Sequence, residues 1–161
     1  MTSFSNARGH DVAVLAATLY AEAGARPVRA IEALATLVMN RVQARLPHWG
    51  AGFSGVCRAP FQFPCWNPNH PSHAVLQDAL PGGAVNQDPS MEICRRVATR
   101  AVAGVLSAPI GQATHVHADD AQPSWSLGRM PTAEIGGLLF YRLEEAARAV
   151  APSVAPLRAV G

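Results

Sequence analysis

Apolar residues recur along much of this chain at helical intervals. Val12, Leu15, Ala16 and Leu19 form one stripe, the signature of an amphipathic helix. Asp11 stands before them as a plausible N-cap, and Gly24 after them as a natural stop. Pro27 suits the first position of a second helix. Its apolar face is Val28, Ile31, Leu34, Ala35, Val38 and Val42, and it is expected to end near Pro47. Asp88-Pro89 opens a third long helix with the stripe Met91, Cys94, Ala98, Ala101, Val102 and Val105, closed by Pro109. A short helix is expected over His73 to Leu80, strands over Thr114 to His117 and Leu138 to Tyr141, and a last short helix over Leu143 to Val150. Asp119 to Pro131 reads as loop, and the tail beyond Pro152 as loosely tied. Gly50 to Pro71 is a long irregular segment, and loops of that length are usually functional or disordered. Its Phe61, Phe63 and Trp66 argue for order. With no repeat and no linker, the pattern predicts one α+β, mostly helical domain over 1–161, with its core at 10–150.

Composition narrows the class. The chain is 49% apolar and 15% charged, which is globular and not disordered. No apolar run approaches the ~20 residues of a membrane-spanning helix, so no stable membrane insertion is expected. A net charge of +2 and a pI near 8.7 are too weak for a nucleic-acid groove, but they suit contact with an anionic polymer. Arg8, the apolar stretch Val12 to Ala21 and Ala21-Glu22-Ala23 imitate a signal peptide. The stretch opens with Asp11 and is one-sided, however, so the expectation is synthesis in the cytoplasm without a clear signal peptide. Cys57, Cys65 and Cys94 form no C-x-x-C pair. Cys94 falls on an apolar helix face, as a buried thiol would. Cys57 and Cys65 flank a loop and could pair in an oxidising compartment, although spacing alone does not fix the geometry.

Several positions could carry chemistry. Glu22 lies at the edge of its apolar stripe and in the last helical turn. Partial burial and the negative end of the helix dipole both disfavour the charged form, the condition a general acid needs. Taken alone, such a residue is more often an ordinary solvated glutamate. His115 and His117 alternate on a strand and share a face. With Asp119 or Asp120 they could hold a metal; lining a groove is the preferred reading, since a third His at helical spacing is missing. No G-x-S-x-G elbow is present. Phe61, Phe63, Trp66 and Trp125 could stack on sugar rings, with Gln62, Asn67 and Ser124 bonding hydroxyl and acetamido groups. They serve equally well as core-filling residues on long loops.

Five segments in order resemble the cell-wall hydrolase family typified by the catalytic domain of spore cortex-lytic enzymes (SleB/CwlJ type), from about Val12 to Tyr141. These are Leu19-Tyr20-Ala21-Glu22-Ala23, Val38-Met39-Asn40-Arg41-Val42, Gln62-Phe63-Pro64-Cys65-Trp66-Asn67, Ala113-Thr114-His115-Val116-His117 with Pro123-Ser124-Trp125, and Ile135-Gly136 through Phe140-Tyr141. The chain departs from that pattern at Val116, where an aromatic is common, at Pro64, where Ser is common, and at Leu138, where His is usual.

The resemblance implies a small lysozyme-like domain with a short β-hairpin beside its cleft. It implies a lytic transglycosylase acting on peptidoglycan glycan strands, with Glu22 as the catalytic acid and no metal or other cofactor. Substrate binding would fall to Gln62, Phe63, Trp66, Asn67, His115, His117, Ser124, Trp125 and Tyr141. No nucleic-acid partner is expected, and the site of action would be the wall. Competing readings are a hydrolytic muramidase using Asp119 or Asp120, a metal-dependent wall amidase using His115 and His117, and a non-catalytic glycan-binding module of a phage-like particle. Release through a phage holin-type membrane pore would bring such a chain to the wall.

Overall fold

The computed structural model describes residues 2–143. Five helices carry the fold: α1 (Thr2–Ala23), α2 (Val28–Ala44), α3 (Gly52–Arg58), α4 (Ser72–Ala79) and α5 (Pro89–Val102). Strands β1 (His115–Ala118), β2 (Ala133–Ile135) and β3 (Leu138–Tyr141) form an antiparallel sheet in the order β1-β3-β2. The expected mostly helical α+β class is what the chain adopts. The helix expected from Leu143 and the tail beyond Pro152 lie outside the described residues, apart from Leu143 itself.

The apolar stripes of α1, α2 and α5 close on one another. Leu15, Leu19, Ile31, Leu37, Val38, Met91 and Ala98 are buried there, and Phe140 joins them from the sheet. Tyr20 fastens α1 to the start of α5 by donating to Asp88 Oδ2 (3.0 Å), while Asp88 Oδ1 caps α5 by accepting the Ser90 N–H (2.8 Å).

The boundaries differ from expectation where capping depends on distant partners. Asp11 does not cap α1, which begins at Thr2 and whose first turns (residues 3–10) are exposed. Its Oδ1 instead accepts the Ser54 N–H (3.1 Å) in the first turn of α3, a helix hidden within the segment expected to be irregular. Pro27 precedes α2 by one residue, and Val28 is 45% exposed, so the buried face starts later than the stripe suggests. Pro109 does not close α5. Gly104 at φ +75° does, with Val105 N–H returning to the Arg100 carbonyl and Gly104 N–H to that of Ala101. Val105 is thereby turned out of the stripe, 67% exposed. Strand β2 was not expected at all. It pairs with β3 through a two-residue turn, Gly136-Gly137, both at positive φ.

Candidate active site

Glu22 ends up half-buried in the last turn of α1. Its Oε1 accepts the Cys65 amide N–H (3.1 Å), and the Cys65 carbonyl accepts from His73 Nδ1 on α4 (2.9 Å). The short 3₁₀ turn Pro64–Trp66 is therefore clamped between α1 and α4, with the carboxylate as one jaw. The Cys65 thiol lies against the same carboxylate. Burial, reinforced by the charge of Glu22 and a hydrogen bond to it, pushes the thiol pKa well up and keeps it protonated.

In front of Glu22 lies a cleft of about 520 Å³. Its walls are Glu22 and Arg26 after α1, Leu34 and Arg41 on α2, Gln62 to Pro64, Val116 to Ala118 on β1, Trp125, and Leu138 on β3. Glu22 is the only carboxylate among these lining residues. A second hollow of about 480 Å³ meets the first at Glu22 and Arg26 and continues past Tyr20, Val75 and Ser90. Glu22 thus borders both hollows. A larger depression of about 770 Å³ between Pro47 and Gln62 has no carboxylate among its lining residues.

Glycines shape the rim. A Cβ on Gly137 (φ +79°) would stand 2.7 Å from Arg26 Nη1 and 3.3 Å from Asp119 Oδ2. Arg26 also donates to the Gly136 carbonyl (3.0 Å), so the hairpin turn holds the arginine that flanks Glu22.

The strand pair His115 and His117 faces one aromatic cluster. Trp125 lies edge-on to both rings (5.3 and 5.7 Å) and to Tyr141 (5.2 Å). The His117 Nδ1–H donates to the Ala118 carbonyl (2.7 Å), and Nε2 is hydrogen-bonded with the Tyr141 hydroxyl (2.9 Å). Both nitrogens are engaged, so this ring does not fit a metal-ligand role. His115 Nδ1 is paired with Thr114 Oγ1 (3.1 Å). Burial, helped by the positive charges of Arg41, Arg129 and His48, pulls the His115 pKa down to about 4. The described residues contain no cluster of three candidate metal ligands.

Of the residues singled out by sequence, the cleft gathers Glu22, Gln62, Phe63, His117 and Trp125. Tyr141, buried, stands behind His117, and His115 behind Trp125. Trp66 and Asn67 line a neighbouring hollow with Phe61, and Trp66 Nε1 donates to Thr18 in the core (3.0 Å). Ser124 is exposed and outside the cleft, as are Asp119 and Asp120. Cys57 and Cys65 are buried free thiols, as is Cys94 on the inner face of α5. Burial raises the Cys57 and Cys94 pKa values to about 12 each. Val116, Pro64 and Leu138 all line the cleft.

Sequence reasoning gave no role to Arg26 or Arg41. A signal for Arg41 exists: it sits three residues after Val38 and seven after Leu34, in phase with the buried stripe, where a charge is out of place.

The family model described as Cell Wall Hydrolase matches residues 26–141. That span includes Asn40-Arg41, the Gln62 to Asn67 segment, β1 and the hairpin, and it begins four residues after Glu22. No curated protein and no solved structure matches the chain.

Proposed function

The chain belongs to the cell wall hydrolase family, and from that premise we propose that it is a lytic transglycosylase that cuts peptidoglycan glycan strands with Glu22 as both acid and base. The observation that carries this reading is that, among the described residues, Glu22 is the sole carboxylate lining the cleft. Most glycosidases that use water or a covalent intermediate carry two carboxyl groups across the scissile bond. With one, the substrate's own C6 hydroxyl can serve as the second group. Glu22 protonates the oxygen linking N-acetylmuramic acid to N-acetylglucosamine, and the C1–O bond breaks. The muramoyl acetamido group stabilises the developing cation. The Glu22 carboxylate then takes the proton of the muramoyl C6 hydroxyl, whose oxygen bonds C1 and closes a 1,6-anhydro ring. The acid is regenerated, and no water is consumed.

The cleft supports these steps. Trp125 offers a flat apolar ring for a pyranose face, and Gln62, whose Oε1 is held by Arg41, offers its amide N–H groups. The second hollow that Glu22 borders offers further space for sugar on the other side of the carboxylate. We place the site of action at the cell wall. The deciding experiment is mass spectrometry of fragments released from purified sacculi. Ends one water lighter than muramic acid support the proposal. Fragments bearing only reducible, hydrated ends would overturn it and point to a hydrolytic muramidase.

A further inference from the structure

We propose that Arg41 is the anion-recognising residue of the cleft, taking a carboxylate carried by the glycan strand that Glu22 cleaves. The inference rests on the glycan-cleaving reading above and adds a determinant of which strands are bound. A guanidinium offers five N–H donors and no acceptor. Arg41 uses Nε–H on the Thr114 carbonyl (2.7 Å) and one Nη1–H on Gln62 Oε1 (3.1 Å). Three donors remain. Among the described residues no carboxylate pairs with it; the ion pairs there involve Arg95, Arg96 and Arg100. Arg41 is nevertheless only 5% exposed.

A buried charge without a counter-charge is unfavourable, and burial lowers the Arg41 pKa to about 10. Every fully buried side-chain nitrogen or oxygen among the described residues has a partner. Nη2, which has none among the described residues, therefore keeps an opening, and the space Arg41 borders is the Glu22 cleft. The rings of Trp49 and Phe63 lie 5.2 and 5.3 Å from the guanidinium carbon. With aromatic rings occupying that space, the free N–H groups are offered along the guanidinium edge, the direction from which a carboxylate makes paired bonds. Tethering the chain ahead of β1 needs only the Nε–H, and neighbouring Asn40 already ties that segment through Gly111 and Ala113. A purely structural role leaves both the charge and the three free donors without use.

Peptidoglycan offers carboxylates from two sources. One is the lactyl group of muramic acid once its stem peptide has been removed; the other is the stem peptide itself. The test is calorimetric binding of muramic acid-containing tetrasaccharides to the full chain carrying Glu22→Gln, which prevents turnover. Three ligands are compared: the peptide-free strand with free lactyl carboxylates, the same strand with those groups as methyl amides, and the strand bearing stem peptides with free carboxylates. A carboxylate-bearing form is expected to bind about tenfold or more tightly than the methyl amide, and the preferred form names the source. Adding Arg41→Gln is expected to abolish the preference, so that carboxylate-bearing and methyl-amide strands bind equally, which a merely structural role would not do. Equal affinity for all three ligands overturns the proposal, as does a preference that survives Arg41→Gln. Should that variant fail to fold, the three-ligand comparison with Arg41 intact decides by itself. No binding of any strand would overturn the glycan reading and this inference together, whereas binding without discrimination overturns this one alone.

Discussion

Glu22→Gln keeps an oxygen that can accept the Cys65 N–H, so the clamp on the Pro64–Trp66 turn persists while the transferable proton is gone. Clearing of sacculi should fall by ~10²–10⁴-fold, with a melting temperature close to that of the parent. Wild-type clearing by this variant would remove Glu22 from the chemistry. His115 gives a pH-dependent stability of known sign. Its folded pKa, about 4, lies below its ordinary 6.5, so between those values the unfolded chain binds more protons than the folded one. Stability should therefore fall as pH drops from about 6.5 to 4, and His115→Gln should lack that component in a series of melting curves. The place of Glu22 in a last helical turn at the edge of a stripe was legible in the sequence, because both are local information. The engagement of both His117 nitrogens was not, because its partner Tyr141 lies 24 residues away.

Among the elements, the β2–β3 hairpin is the most exposed to a single change. Gly137→Ala would place a methyl group 2.7 Å from Arg26 Nη1 at φ +79°. A loss of about 1–3 kcal/mol in denaturant unfolding is expected, together with lower activity, since Arg26 borders the cleft beside Glu22. An unchanged midpoint would mean the turn relaxes without strain. Asp88→Ala removes the cap of α5 and the acceptor of Tyr20, and should cost at least the ~0.5–2 kcal/mol typical of a lost N-cap. The helical stripes and the Asp88-Pro89 start could be read directly, because burial periodicity and capping within one element are encoded over a few residues. Asp11 was assigned to the wrong helix because a cap can be supplied from across the fold. Strand β2 escaped because Ala133–Ile135 is too short for a period-two pattern to stand out.

At the scale of the whole molecule, the cleft exists because α1, α2, the Gln62–Pro64 segment and two strands converge on one space. If a single carboxylate and the substrate's own hydroxyl suffice, lysis of sacculi should be undiminished by EDTA; loss of activity restored by a divalent metal would favour a metal-dependent amidase instead. The sequence by itself determined the main helices, the fold class, the family and the candidacy of Glu22, since apolar spacing and short ordered motifs are properties of neighbouring residues. Only the tertiary structure decided that Glu22 is the sole carboxylate lining its cleft among the described residues, with Asp119 and Asp120 outside that lining, and that Trp66 and Asn67 face a different hollow. Only the tertiary structure, too, left Arg41 buried between two aromatic rings with donors to spare. These outcomes turn on which surfaces meet across tens of residues, and burial and pairing at such distances are set by packing that no local pattern records.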